Sequence, residues 1–232
     1  MRTFLALLAA TGIALLIYSR LDGPAWLGLI GKPLPVIALL LWLRQASVSA
    51  YRRWISIGLL FSLLGDLLLE WPQDLFVFGL GAFLVAHLAY LVAYIGSTRR
   101  LAPMPLLAAV VVAGCMFGLL ANAGLGALLI PVACYSLAIG CMLWRALARL
   151  GTTGIARQSA WLAAGGAVLF VLSDSLIGIN RFVQPFEGAR IAILSTYWLG
   201  QWGIAASVIY LTSAARMPQF AGSAVESPAS LR

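Results

Sequence analysis

The chain has 232 residues, 62% of them hydrophobic and only 9% charged, whereas a soluble domain carries about a quarter charged residues. At roughly 20 apolar residues per membrane crossing, this length divides into at most about eight transmembrane helices and leaves no room for a soluble domain. Fifteen basic residues stand against seven acidic, but the arginines cluster between apolar runs and no basic stripe is interleaved with aromatics, so nucleic acid is excluded as a partner. The arginines read instead as topology signals, helped by anionic lipid head groups.

The first span runs from Thr3 to Tyr18 and closes at Arg20 and Asp22-Gly23-Pro24. Arg2 before an apolar core also fits a signal peptide, but no small-residue cleavage site follows, so an uncleaved helix is expected. The next spans are Trp26–Leu43, Trp54–Leu69, Leu75–Ile95, Leu106–Ala121, Leu125–Trp144, Ser159–Ile179 and Ile191–Ser213. Trp26, Trp54, Trp71, Trp144 and Trp198 fall near span ends, as an interfacial aromatic belt places them. The expected fold is all-α: a polytopic bundle of about eight transmembrane helices in one domain over residues 1–217, then a disordered cytoplasmic tail over 218–232. Cys115, Cys134 and Cys141 lie in apolar runs and are expected to be free, buried thiols.

With a cytoplasmic N-terminus, the inside segments hold Arg2, Arg44, Arg52, Arg53, Arg99, Arg100, Arg145, Arg149, Arg157, Arg216 and Arg232, and the outside loops hold Arg20, Arg181 and Arg190. Eleven against three puts both termini in the cytoplasm, in a multi-pass protein of the cell (inner) membrane. A short internal likeness, Phe61-Ser-Leu-Leu-Gly-Asp66 against Phe170-Val-Leu-Ser-Asp174 four spans later, is what a parallel four-plus-four duplication produces.

A charged side chain inside hydrocarbon costs about 2.5–3.5 kcal/mol on the insertion scale, so an intramembrane acid implies a partner, a water-filled cavity or a function. Lys32, Asp66, His87 and Asp174 stand out; the chain's only lysine and only histidine are among them. The topology sets all four, with Tyr197, in the non-cytoplasmic half, where they are expected to converge on one cavity. Asp66 and Glu70 are four apart on one helix face, His87 and Tyr90 three apart, and Asp174 and Asn180 share a stripe. Simpler readings stand beside these. Lys32 can bond carbonyls freed by Pro33 and Pro35, His87, Tyr90 and Tyr197 can be interhelical packing residues, Glu70 a solvated helix end and Asp74 a helix cap. The two buried aspartates have no such simple reading.

The matching stretches Lys32-Pro33-Leu34, Phe61-Ser-Leu-Leu-Gly-Asp66-Leu-Leu-Leu, Ala86-His87-Leu-Ala-Tyr90, Gly166-Ala-Val-Leu-Phe-Val-Leu-Ser173-Asp174-Ser and Asn180-Arg181-Phe182 resemble the YhhN family, which includes the lysoplasmalogenases. The resemblance implies a membrane hydrolase that cleaves the vinyl ether bond of a lysophospholipid to a fatty aldehyde and a glycerophospho-base. Such chemistry needs a proton donor to carbon and a second carboxylate to offset the cation or activate water, the division of labour that paired carboxylates have in glycoside hydrolysis. Asp66 and Asp174 are the catalytic candidates, and Lys32, Glu70, His87, Tyr90, Ser173, Asn180 and Tyr197 the candidates for substrate binding and support. No cofactor is expected. A zinc site is disfavoured by a single histidine and no cysteine near the acids. The alternative is a transporter or ion-coupled carrier with a midplane acidic site, since repeats, membrane acids and a proline-broken helix also describe transporters.

Overall fold

A computed structural model describes residues 1–211 of the chain. The expected tail, Arg216, Arg232 and the last two residues of the eighth predicted span lie outside the described residues. Helices are α1 (Arg2–Leu21), α2 (Trp26–Gly31), α3 (Leu34–Leu43), α4 (Ala50–Glu70), α5 (Phe76–Ser97), α6 (Pro103–Asn122), α7 (Leu129–Ala148), α8 (Arg157–Gly178) and α9 (Ala189–Ile209). No strand occurs among the described residues. A 3-10 turn over Gly126–Leu128 leads into α7, and α8 widens into a π-helical turn over Ile179–Val183.

Six segments among the described residues are long and apolar enough to cross a membrane: α1, α2 with α3, α5, α6, α7 with its leading turn, and α8 with its π turn. Helices α4 and α9 have the same length, 21 residues each, or about 31 Å at 1.5 Å per residue. Their apolar character is diluted by the polar residues they carry into the interior. The second predicted span is two helices because Pro33 and Pro35 cannot continue the hydrogen-bond ladder, and the joint falls at Lys32. Helix α6 starts at Pro103, earlier than hydropathy suggests, since proline is favoured in a first turn.

Large apolar side chains cover the outside: Phe4, Val110, Ile130, Leu137, Leu199 and Trp202 are all exposed. A soluble protein buries such residues; a bilayer solvates them. The three cysteines are free, but Cys115 and Cys134 are exposed on the outer faces of α6 and α7 rather than buried, because those faces meet lipid and need not pack. Arg145 and Arg149 are more than loop signals. Both are buried, and Arg149 donates to Ser97 and to Ser159 Oγ at 2.8 Å, with its guanidinium 4.4 Å from the centre of the Tyr51 ring.

The interior depends on small residues, since lipid offers helices no hydrophobic force for association and close packing must supply it. Helix α8 lies along α9, α4 along α5, α6 against α7, and α1 against α2 and α3. The α8–α9 approach is close: a Cβ on Gly166 would come 2.7 Å from both Gly200 O and Ile204 N. Similarly, a Cβ on Gly65 would come 2.6 Å from the Phe83 ring, so α4 admits that ring only because position 65 is bare.

These contacts generate a paired test. Gly166→Ala forces backbone from backbone and should cost about 1–3 kcal/mol, the usual range for overpacking. Gly165→Ala meets no heavy atom within 4 Å and should leave stability unchanged or slightly higher, by the helix preference of alanine. Thermal denaturation in detergent should show a lower midpoint for the first variant only; equal midpoints would contradict the packing.

Candidate active site

Asp66 and Asp174 each lie four residues before the end of their helix, so both look into the end of the bundle formed by the closing turns of α4 and α8 and the opening halves of α5 and α9. Each carboxylate receives a tyrosine hydroxyl from a neighbouring helix. Tyr197 of α9 donates to Asp66 Oδ2 at 2.7 Å, and Tyr135 of α7 donates to Asp174 Oδ2. Asp66 is 1% exposed; Lys32 Nζ stands 3.9 Å from its Oδ1 and 3.7 Å from Glu70 Oε2. A lysine at the α2–α3 joint thus faces two carboxylates one turn apart on α4, and its partners are these acids rather than freed carbonyls.

Glu70 is not a solvated helix end. It also pairs with Arg20 from the end of α1, and only 12% of its side chain is exposed. Asp74 does not cap α5, whose N-cap is Leu75 with no side-chain bond. It turns at φ 49° and pairs with Arg181 at 3.0 Å instead.

The second aspartate has different company. His87 is fully buried, with Nε2 3.5 Å from Asp174 Oδ2 and its ring edge-on to Phe170 at 4.7 Å and to Tyr135 at 5.2 Å. Among the described residues neither ring nitrogen has a hydrogen-bond partner. Between the two carboxylate groups stand aromatic rings: Phe83 packs edge-on against Tyr197 (5.8 Å) and Phe170 (6.1 Å), and Phe170 against Tyr197 (5.5 Å).

Other sequence candidates scatter. Tyr90 shares a face with His87 but reaches the opposite way, donating to Gln201 Oε1 at 2.7 Å with Ser62 Oγ 3.4 Å off. Ser173 donates to Ile193 O at 3.1 Å and so ties α8 to α9. Asn180 rides on the π turn and accepts from Phe186 N at 3.3 Å. The structure therefore groups Lys32, Asp66, Glu70 and Tyr197, and separately His87 and Asp174.

Two cavities meet these groups. One is apolar, lies between α5, α6, α7 and α8, and has Asp174 and Tyr135 on its wall among side chains such as Phe83, Met116, Leu120 and Ile139. The other is polar, with a volume of about 300 Å³, and is walled by Lys32, Glu70, Asn180, Arg181 and Arg190. Leu69, Phe76 and Ile177 belong to both walls. Leu69 follows Asp66 by three residues and Ile177 follows Asp174 by three, so the boundary that the two cavities share lies one helical turn beyond each aspartate.

Tyr135, Arg20, Arg181 and Arg190 are the site residues that sequence reasoning passes over. A tyrosine in an apolar run looks like packing. The three arginines sit at predicted loop edges, where charge is ordinary; only their being the minority of three in the expected topology marks them.

The chain is similar to proteins carrying one name. Lysoplasmalogenase TMEM86B from Sus scrofa is 39% identical over 188 residues, covering 81% of this chain and 77% of the relative. Lysoplasmalogenase TMEM86A from Homo sapiens is 35% identical over 212 residues, covering 86% and 85%. Lysoplasmalogenase from Mycobacterium tuberculosis is 41% identical over 175 residues, covering 72% and 61%. No solved structure matches. The YhhN family profile matches residues 27–208, a stretch that runs from the start of α2 to the end of α9 and contains both aspartates and all the helices that surround them; the chain belongs to the YhhN family.

Proposed function

We infer that this chain is a membrane-embedded hydrolase of the lysoplasmalogenase type, which cleaves the vinyl ether bond of a lysophospholipid to a fatty aldehyde and a glycerophospho-base. The observation that carries the reading is the double cavity. A lysophospholipid has one apolar chain and one charged head, and the site offers an apolar chamber beside a polar one, with Leu69, Phe76 and Ile177 lining both. The ether bond, which lies between chain and head, then sits one turn from both aspartates.

Hydrolysis begins when a carboxylic acid delivers a proton to the double-bond carbon remote from the ether oxygen. The other vinyl carbon becomes an oxocarbenium ion, which water attacks after losing a proton to a base. The resulting hemiacetal collapses, its C–O bond to glycerol breaking as the hydroxyl proton leaves, and gives aldehyde and alcohol. Asp174 is the proton donor in this reading, because it lines the apolar chamber where the vinyl carbon would lie and has His87 and Tyr135 as its polar neighbours. Asp66, facing Lys32 and held by Tyr197, is the carboxylate that offsets the cation or takes the proton of the attacking water. Tyr135 orients Asp174, and His87 stands 3.5 Å from it; Lys32, Glu70 and Asn180 belong to the head-group side. Tyr90 and Ser173 support the site through packing, from the bonds described above.

A carrier would also use buried acids. The hydrolase names of relatives over most of the chain's length weigh against it. The eight-crossing layout with both termini in the cytoplasm belongs to the same proposal, as do the single domain and the four-plus-four duplication. The matching places of Asp66 and Asp174 near the ends of α4 and α8 agree with that duplication. Reporter fusions after Arg100 and Arg157 should read as cytoplasmic, and a periplasmic signal at either would overturn the topology.

Asp66→Asn and Asp174→Asn should each abolish aldehyde release from an alkenyl lysophospholipid while the protein stays folded. Asparagine keeps the size and much of the hydrogen bonding of aspartate but can neither give the acidic proton nor offset a cation. General acid–base groups contribute about 10²–10⁴-fold, and the double variant should be little worse than either single one, since the pair acts as a unit. Folded variants that turn over near the wild-type rate would remove both aspartates from the chemistry.

A further inference from the structure

The polar cavity carries more cations than the chemistry above uses. Lys32, Arg181 and Arg190 lie on its wall, and Arg20 stands beside it through its pair with Glu70. Glu70 is the carboxylate on that wall, and it is already shared between Arg20 and Lys32. Arg181 is held by Asp74 at 3.0 Å, with its guanidinium 3.9 Å from the centre of the Phe76 ring. Among the described residues no carboxylate stands within 4.0 Å of Arg190. Lys32 also faces Asp66, so four cations meet three acids, Asp66, Glu70 and Asp74, all of them engaged, and positive charge is in excess by one, at Arg190.

The start of α9 adds to that excess. Gly188, its N-cap at φ 75°, has no side chain to bond the free backbone N–H groups, and the first turn contains no acid but does contain Arg190. A helix N-terminus carries partial positive charge and favours an anion; an arginine there is unfavourable unless an anion offsets it. Ile193 and Leu194, one turn further along α9, line the same cavity. The first turn of α9 and Arg190, with Arg181 on the same wall, therefore favour an anion within the cavity.

We propose that Arg190 and Arg181, with Lys32 beneath them and the opening turn of α9, form the binding site for the phosphodiester monoanion of the substrate's head group. The inference rests on the hydrolase reading and deepens it: the polar chamber is a phosphate subsite. Phe76 fixes where it begins, since its ring lines both chambers and supports the Arg181 guanidinium. A chain that enters the apolar chamber past Phe76 leaves its phosphate beside Arg181 and its ether bond at the shared boundary. Guanidinium groups suit a phosphodiester because their N–H groups can reach two of its oxygens at once.

The test compares two substrates that share the vinyl ether and differ in the phosphate: an alkenyl glycerophosphoethanolamine and the corresponding alkenyl glycerol. Arg190→Gln and Arg181→Gln, in purified full-length protein, should each raise KM for the phosphorylated substrate about tenfold or more, as expected for loss of a charge-assisted hydrogen bond. KM for the neutral substrate should change less than twofold. Arg190→Lys should recover part of the loss, since it restores charge without the planar fork. Arg190 is exposed, and removing a cation from a helix start does not weaken the helix, so Arg190→Gln should denature at or above the wild-type temperature. Equal effects on both substrates, or none on either, would overturn the subsite while leaving the hydrolase reading intact. Wild-type protein that releases aldehyde from neither substrate would overturn the hydrolase reading itself. Inorganic phosphate, titrated alone, separates a soluble anion from a head group: saturable binding lost in Arg190→Gln, with KM for the phospholipid unchanged, would assign the pocket to free phosphate and contradict the proposal.

Discussion

A carboxylate inside a low-dielectric helical bundle must be partnered, and the arrangement of this protein follows from how two are. Asp66 is held by Tyr197 and faces Lys32; Asp174 is held by Tyr135 and faces His87. These contacts join α4 to α9 and to the α2–α3 joint, and α8 to α7 and α5. The helices cannot slide or rotate independently without leaving an acid bare, and a bare acid in hydrocarbon costs several kcal/mol. Glycines allow the partners to meet: Gly65 admits Phe83 beside Asp66, and Gly166 lets α8 lie on α9.

The two acids are placed differently by the same device. Asp174 looks into an apolar chamber bounded on one side by α6, a helix whose packing within the bundle is mainly against α7. Asp66 looks toward the cationic chamber through Lys32. A wall of Phe83, Phe170 and Tyr197 stands between them, and Leu69, Phe76 and Ile177 line both chambers. In the proposed reading such a layout sorts an amphiphile by polarity: chain to one side, phosphate to the other, and the bond between them at the shared boundary. Specificity for a molecule with both parts then needs no separate recognition loop.

Much of this was legible in the sequence, for physical reasons that also set the limit. Hydropathy finds α1, α5, α6, α7 and α8 because their outer faces meet lipid, and Lys32-Pro33 marks the α2–α3 break because proline removes a donor. Asp66 and Asp174 stand out because charge in an apolar run is costly. Helical spacing gives the face of a residue within its own helix but not the neighbour across from it. Hence Tyr90, on the His87 face, binds Gln201 instead of the second aspartate, and Tyr135 is invisible until α7 is set against α8. Arg20 and Glu70 each look like an interfacial end, and only the fold shows that they meet as an ion pair. Arg145 and Arg149 count as cytoplasmic charges in sequence, yet the fold uses both to bind loops and serines at the base of α7.

The central claim is that a carboxylic acid of this bundle puts a proton on a vinyl carbon and that water then cleaves the ether. Isotope labelling reads both events in one product. Purified protein given an alkenyl lysophospholipid in D₂O enriched in oxygen-18 should release a fatty aldehyde formed with one deuterium on the carbon next to the carbonyl and oxygen-18 in the carbonyl, beyond the exchange of aldehyde added to a protein-free control. A fatty acid as product, or an aldehyde labelled no further than that control, would contradict the account.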